Sequence, residues 1–211
     1  MRDRQSIRQC ILKIEEFDMQ PMGPRSAIQV ILNEHRQLSA IIDGMLWFTH
    51  LLETGSKAPG LMVFRAMLYY IREYPEQVHH PKEDRYLFAR LRARTDDFDD
   101  VLAELEAQHA EGDARVRDLE HALTRYELKG ESAFSALRAL MQEYAEFYLK
   151  HRGLEEEVIL PAARRLLTEG DWAEIDAVFG VNHDPFDGVK LEDDLGKLFS
   201  MIVKTIPEAD T

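Results

Sequence analysis

The chain has 211 residues, of which 45% are apolar and 31% charged, as is typical of one folded globular domain with a sizeable core. Its formal net charge of −13 argues against nucleic acid or an anionic membrane surface as a partner, because both bind clustered Lys and Arg. Cys10 is the only cysteine, which excludes an intrachain disulfide and a thiolate metal cluster.

Residues 1–23 are expected to form an N-terminal arm. A short helix over residues 7–17 precedes a segment with proline and glycine, which is typical of a linker. The first residues lack the apolar run of a signal peptide, and no stretch approaches the roughly 20 apolar residues that span a bilayer. We therefore expect a cytoplasmic protein without a membrane partner.

The first long helix is predicted to begin near Pro24 to Ser26 and to run to about Glu53, before Gly55 stops it. Its apolar residues recur in steps of three and four, as on one buried helix face, and His35 falls within that row. A buried imidazole needs a polar partner, because an unpaired buried polar group costs on the order of 1–3 kcal/mol.

The second and third helices follow in the same way. Pro75 is expected to kink or break the second helix, which then restarts over Glu76 to Arg94. Thr95 is the predicted N-cap of the third helix, which ends at Lys129-Gly130. His109 again occupies a position on the buried face.

The fourth helix is predicted to begin at Ser132 as N-cap, to carry His151 on its inward side and to stop at Gly170. Residues 169–211 then form a C-terminal extension that covers one end or side of the bundle. Its predicted parts are a short helix over Asp171–Phe179, a turn at Asn182–Pro185 and a last amphipathic helix over Leu191–Ile206. No period-two strand pattern is present, so the sequence predicts an all-α protein.

Two stretches of the chain share one pattern. His79 and Glu83 are followed by a second acid, one further position and three apolar or aromatic residues, and His151 and Glu155 repeat this order. Residues four apart lie on one helix face, so each stretch directs an imidazole and a carboxylate at one point. A lone helical histidine precedes each copy at nearly the same distance, which indicates an internal duplication of two helix pairs.

Four imidazoles and two carboxylates from four helices are the raw material of a two-metal site in a helical bundle. A single histidine is more often a satisfied core or surface residue. Without a metal, however, all six groups in one core would leave two buried carboxylates to be paired or protonated.

The doubled pattern therefore predicts two metal ions, with bridging carboxylates and terminal imidazoles. Non-haem iron suits these ligands, and zinc or manganese stays open. Metal-binding imidazoles normally donate their other N–H to an acceptor. The candidates for this role are Glu34, Glu156, Tyr86 and Tyr144.

These elements resemble the hemerythrin-like (HHE cation-binding) family. The resemblance covers residues 24–168, and the late helix with Asn182–Pro185 looks like the C-terminal part of longer bacterial members. The matching segments are Asn33-Glu34-His35, the run from His79-His80-Pro81-Lys82-Glu83-Asp84 to Phe88, His109, and His151 to Glu155 with the following Glu-Glu-Val-Ile-Leu-Pro.

The resemblance implies an up-down-up-down four-helix bundle that holds two iron ions joined by an oxo or hydroxo bridge. Carried over to this sequence, the family's pattern assigns four terminal imidazoles and two bridging carboxylates. They are His35, His79, His109 and His151, with Glu83 and Glu155 as the bridges.

The sequence departs from the family's oxygen carriers in two places. Those proteins have a second histidine four residues after the third-helix ligand, where this chain has Asp113. That difference puts simple reversible oxygen carriage in doubt, and an exposed Asp113 is preferred to a ligand. His80 competes with His79 as the ligand because it pairs with Asp84 at i+4, although alignment with His151 favours His79.

The leading hypothesis is a non-enzymatic di-iron protein that binds oxygen, nitric oxide or peroxide for sensing, storage or protection against oxidative or nitrosative stress. The second hypothesis is a di-iron oxidase or peroxidase, or an iron-repair factor that donates its metal. A third is a helical interaction module with a structural metal. The expected partner is a small diatomic ligand or peroxide, and a homodimer is left open.

Overall fold

Four long helical segments account for most of residues 26–180, the part of the chain that this computed structural model describes. No β-strand occurs within this range, which confirms the predicted all-α class there. Three predicted features lie outside the described residues. They are the N-terminal arm of residues 1–23 with its short helix over residues 7–17, the turn Asn182–Pro185 and the last helix Leu191–Ile206.

The first segment is α1, Ala27–Glu53, and its predicted bounds are confirmed. Ser26 caps it with a capping box: the Ser26 hydroxyl accepts from the Gln29 N–H, and the Gln29 side chain accepts from the Ser26 N–H. After the helix the chain turns at Gly55 with φ of 63°, a left-handed conformation that favours glycine.

The second segment spans residues 61–92 and is helical except at Tyr74, the residue before Pro75. It comprises α2 Leu61–Glu73, a π-helical turn Pro75–His79, α3 His80–Lys82, a second π turn Glu83–Phe88 and α4 Ala89–Arg92. Tyr74, between α2 and the first π turn, keeps helical angles of φ −95° and ψ −66°. The predicted interruption at Pro75 is therefore present as one turn residue followed by a π turn, because the proline ring does not fit a normal helical turn and lacks an N–H.

The third segment is α5, Asp99–Lys129, which begins four residues after the predicted N-cap. Thr95 instead closes a local turn, in which its hydroxyl accepts from the Asp97 N–H at 3.1 Å. The predicted C-terminal stop at Gly130 is confirmed, since this residue has φ of 63°.

The fourth segment follows a 3-10 turn, Gly130–Ala133, and comprises α6 Phe134–Leu154, a third π turn Glu155–Ile159 and α7 Leu160–Leu166. Ser132 is not its N-cap, because the Ser132 hydroxyl donates to the Lys129 carbonyl instead.

The predicted stop of the fourth helix at Gly170 was also wrong. The segment ends because Leu167 is extended, with φ −77° and ψ 142°. Gly170 lies inside the next helix, α8, Glu169–Gly180, which confirms a helix over Asp171–Phe179.

The apolar core consists of two clusters with a polar layer between them. The first cluster includes Leu38, Ile42, Phe48, Phe64, Ile71, Val116, Leu137 and Tyr148. The second includes Ile28, Ile31, Leu87, Phe88, Leu102, Leu105, Ile159 and Ile175.

Early residues of the first and third segments belong to the second cluster and later ones to the first, and this order is reversed in the second and fourth segments. This supports the predicted up-down-up-down order, which stays a prediction. None of the helices within residues 26–180 is both long and apolar enough to cross a membrane.

Candidate metal centre

All six predicted ligands lie in the polar layer between the two apolar clusters. Together they come from all four long segments, and each is at most 9% exposed. They are His35 on α1, His79 and Glu83 on the second segment, His109 on α5, and His151 and Glu155 on the fourth. Residues that are far apart in sequence are therefore brought into one buried cluster.

The cluster divides into two groups that could each hold a metal ion. The first consists of His35, His79, Glu83 and Glu155, and the second of Glu83, His109, His151 and Glu155. Within each group the candidate ligand atoms lie within 4.8 Å of one another. Both groups contain the same two carboxylates, which is the arrangement expected of bridging ligands.

The individual distances follow the same division. His35 Nε2 lies 3.1 Å from Glu155 Oε2, and His79 Nε2 lies 3.3 Å from Glu83 Oε2. On the other side, His151 Nε2 lies 3.4 Å from Glu155 Oε1, and His109 Nε2 lies 3.7 Å from the same atom. In every case Nε2 is the imidazole nitrogen directed at the carboxylates.

Several buried atoms in the cluster have no hydrogen-bond partner among the described residues. They include all four carboxylate oxygens of Glu83 and Glu155, together with Nε2 of His109 and of His151. Leaving such groups unpaired costs free energy, and each unpaired carboxylate costs more than a neutral group. Cations placed between the carboxylates would satisfy these atoms, so the residues fit a pair of metal ions.

The opposite nitrogen of each imidazole, Nδ1, has an oxygen partner. His35 Nδ1 lies 3.0 Å from Glu156, and His109 Nδ1 lies 2.8 Å from Asp84. His79 Nδ1 lies 2.6 Å from Glu34, whose other oxygen accepts from the Tyr74 hydroxyl. An ionised carboxylate only accepts, so these contacts place the hydrogen on Nδ1 and leave Nε2 free for a metal.

These Nδ1 partners repeat the internal duplication. The acids Asp84 and Glu156 directly follow the two glutamates of the paired motifs. Asp84 is the Nδ1 partner of His109, and Glu156 is the Nδ1 partner of His35. Glu34 directly precedes His35 and is the Nδ1 partner of His79. In the same way Gln108 precedes His109 and accepts from His151 Nδ1 at 2.9 Å. The Nδ1 contacts between the four helices therefore follow the same two-fold pattern as the sequence motifs.

Sequence reasoning found only half of these acceptors. Glu34 and Glu156 were expected, whereas Asp84 and Gln108 were missed as acceptors, although their positions beside Glu83 and His109 mirror the expected pair. Of the candidate tyrosines, Tyr86 is 37% exposed and has no place among the Nδ1 partners described above. Tyr144 is buried in the first apolar cluster.

The two less certain ligands fall in different places. His80 is 8% exposed and joins His109 and His151 in a third potential metal-binding group, while His79 belongs to the group with His35. The two neighbouring histidines therefore belong to different groups, and the preference for His79 over His80 as the ligand stays a prediction. Asp113 has a side chain that is 53% exposed and pairs with Arg117 at 3.6 Å, as expected for a surface acid.

Charges within the cluster shift the pKa values in opposite directions. Burial works to lower the pKa of His35, but the neighbouring carboxylates of Glu155 and Glu156 outweigh it and raise the pKa to about 9. Burial lowers the pKa of His151 to about 4, with the neighbouring histidines acting in the same direction. Burial and the nearby Glu155 charge raise the pKa of Glu83 well above its usual value.

The two paired motifs also have the same local helix geometry. Glu83 and Glu155 each begin a π turn, and the N–H of Leu160 donates to the Glu155 carbonyl five residues back. Such turns occur frequently at functional sites, because the extra residue per turn rotates side chains out of the regular register. Here they accompany the two glutamates that both metal groups share.

The fold and the cluster define a helical protein with a buried His and Glu site able to hold paired metal ions. A family model for the hemerythrin HHE cation-binding domain matches residues 26–163. The chain belongs to this family, as its sequence motifs indicate. Among curated proteins no match was found.

Proposed function

We propose that this protein holds two iron ions bridged by Glu83 and Glu155, and that it binds oxygen, nitric oxide or peroxide at an open iron position. The observation that carries the proposal is the pair of carboxylates common to both groups of potential ligands. The four oxygens of this pair have no hydrogen-bond partner within residues 26–180. The proposed role is sensing, storage or protection against oxidative or nitrosative stress, without enzymatic turnover.

The ligand set supports iron over zinc. Two imidazoles and shared carboxylates for each ion resemble the His and carboxylate sets that leave positions open on non-haem iron, whereas structural zinc sites are closed and tetrahedral. When bound, the iron pair supplies exchangeable coordination positions and electrons for ligand binding. The choice of iron over manganese stays a prediction.

The surroundings support a small, uncharged ligand. The ring of Phe88 stacks on His109 with centroids 5.7 Å apart, and the ring of Phe147 stacks on His151 at 6.4 Å. The six ligands are almost completely buried. A site of this kind excludes bulky or strongly hydrated molecules, since their desolvation costs too much. A cytoplasmic location and a homodimer stay predictions.

The first test is metal content. Aerobically purified protein is expected to contain about two irons per chain by elemental mass spectrometry. Glu83→Ala and Glu155→Ala are each expected to lose paired binding, because each removes a bridge. Glu157→Ala is the matched control, since Glu157 lies in the same π turn as Glu155 but is exposed. Two irons in both bridge variants would disprove the bridging assignment.

The second test separates the candidate roles. The reduced protein is exposed to oxygen and then returned to argon while its visible absorption is followed. A reversible spectrum without oxygen consumption supports ligand binding, whereas continued consumption identifies an oxidase. A metal-loaded protein whose spectrum does not respond to oxygen, nitric oxide or azide would indicate a structural metal.

A further inference from the structure

The internal duplication is broken at two positions, which flank His151 in one copy and His79 in the other. On the fourth segment, Tyr148 and Arg152 lie three residues before and one residue after His151. The Tyr148 hydroxyl donates to the His35 carbonyl at 3.0 Å, and Arg152 donates to the Ser39 hydroxyl at 2.6 Å. Both side chains therefore fasten the fourth segment to α1.

The corresponding positions on the second segment hold Glu76 and His80, three residues before and one residue after His79. Their side chains are only 6% and 10% exposed, respectively. A buried carboxylate and a buried imidazole thus replace a tyrosine and an arginine on one side of the two-fold pattern.

His80 is directed at the second metal group. Its ring stacks on that of His109, with centroids 4.1 Å apart and planes inclined by 11°, and its centroid is 5.2 Å from that of His151. One nitrogen of each of these three imidazoles lies within 4.8 Å of the other two. The three imidazoles are therefore close enough to share one ion.

Glu76 lies beside this imidazole. The Nδ1 atom of His80 faces Glu76 Oε2 at 3.4 Å, although the contact is not aligned as a hydrogen bond. At the other four histidines of the cluster an oxygen also lies beside Nδ1, there as a hydrogen-bond partner, and Nε2 is left for an ion.

Gly112 on α5 makes room for Glu76. A Cβ atom at position 112 would lie 2.3 Å from the Glu76 carboxylate, closer than atoms approach in proteins. Any other residue would displace Glu76 from His80. The pair is therefore accommodated by a third residue, which lies three positions after His109.

We propose that His80 is a third imidazole ligand, through Nε2, to the ion that His109 and His151 hold. The two ions would then differ in their number of imidazole ligands: His35 and His79 would bind one ion, and three imidazoles would bind the other. This inference rests on the proposed two-metal site. It also gives His80 a role that is separate from that of His79.

The experiment measures iron binding to the full chain and to His80→Ala. Fe(II) is titrated anaerobically against a competing chelator, and Mössbauer spectra are recorded on the 57Fe-loaded proteins. The wild type is expected to bind two ions and to show two unequal iron signals. His80→Ala is expected to keep the affinity for one ion and to bind the other at least about tenfold more weakly, with a change in only one signal.

Two further variants sharpen the result. His121→Ala is the matched control, because His121 is an exposed histidine on α5 and should leave both affinities unchanged. Gly112→Ala is expected to weaken the same ion as His80→Ala, since it displaces Glu76. If His80→Ala does not fold, a crystal structure of the iron-loaded wild type decides, with His80 Nε2 expected within about 2.3 Å of an iron.

The outcomes separate the two proposals. A wild type that binds two irons, together with His80→Ala that has the same affinities and spectrum, overturns the inference and leaves the proposed function intact. A His80 nitrogen far from both irons in the crystal does the same. A wild type that never binds two metal ions overturns the proposed function, and the inference fails with it.

Discussion

The histidines of the cluster differ in what a metal must displace. The pKa of His109 is raised to about 9: burial opposes this, but Asp84 and Glu155 outweigh it. A metal at His109 therefore replaces a proton at neutral pH. His151, with a pKa of about 4, is already neutral and offers its Nε2 directly.

This difference makes Gln108 the sharpest test of an Nδ1 partner. Gln108→Met removes the acceptor of His151 at nearly constant volume and is expected to weaken iron binding about 10–100-fold, because the imidazole loses its fixed orientation. His151 is neutral at pH 7 in both proteins, so proton competition does not mask the loss. The affinity is measured by chelator competition at pH 7.

Gln142→Met is the control for Gln108→Met. Gln142 lies on α6, the helix that carries His151, but it is exposed. The same change in size and polarity should leave iron affinity unaltered there. Equal affinities for the wild type and Gln108→Met would mean that this hydrogen bond does not orient His151.

At the scale of single elements, α8 closes the end of the bundle where α1 begins. The Ala27 N–H at the start of α1 donates to Asp176 on α8 at 2.7 Å. Ile175 and Phe179 add apolar side chains to the second cluster. A helix in the predicted C-terminal extension therefore contributes to the same core as the metal-binding bundle.

Thr168 holds the N-terminus of this helix. Its backbone N–H donates to Asp171 at 2.8 Å, and its hydroxyl accepts from the Asp171 N–H, which together form a capping box. Arg94 also donates to the Asp171 carboxylate. Thr168→Ala is expected to lower the free energy of unfolding by about 1 kcal/mol, as measured by urea denaturation.

Ser132→Ala is the comparison for the cap. The Ser132 hydroxyl donates to a carbonyl in an exposed turn and satisfies no free N–H at the start of α6, so its loss should cost less than about 0.5 kcal/mol. A larger effect at Ser132 than at Thr168 would reverse the assignment of the two caps.

The helix ends show how far the sequence predicts this fold. Ser26 has a glutamine three residues later and caps α1, so two local signals agree there. Thr95 and Ser132 each offer a capping hydroxyl, but a local turn uses Thr95 and the Lys129 carbonyl accepts from Ser132. A single capping residue is compatible with several turns, and tertiary packing selects among them.

The site was more predictable than the helix ends. The spacing of four residues and its repetition indicate which imidazoles and carboxylates share a face, and the structure brings those six together. The π turns at Glu83 and Glu155 and the separate direction of His80 had no sequence signal. They depend on how four helices pack around the cluster, which spacing along one helix does not determine.

In the molecule as a whole, the ionisable groups that cost most free energy to bury lie between the two apolar clusters. Ionised groups in a layer between two apolar clusters are poorly solvated, and Glu83 is completely buried. Without metal, the raised pKa of Glu83 means that ionising it opposes folding. Its contribution to stability is intact below the unfolded pKa of about 4.5 and is lost as pH rises toward the higher folded pKa.

Glu83→Gln should therefore stabilise the metal-free protein while it abolishes paired metal binding. At pH 5 the metal-free variant and wild type are expected to have similar free energies of unfolding. Between pH 5 and 8 the variant should become the more stable, by at most about 1.4 kcal/mol for each pH unit, which is the limit for one proton. Urea denaturation in the presence of chelator measures both proteins.

Adding iron should reverse this order. Ions held by residues from all four long segments bind only the folded state, so the wild type gains stability in proportion to its affinity, whereas Glu83→Gln gains little. Glu157→Gln, an exposed change in the fourth segment, should follow the wild type under both conditions. A metal-free Glu83→Gln protein less stable than wild type at pH 8 would show that Glu83 supports the fold without a metal. The cost of burying the two carboxylates would then have to be offset within the protein.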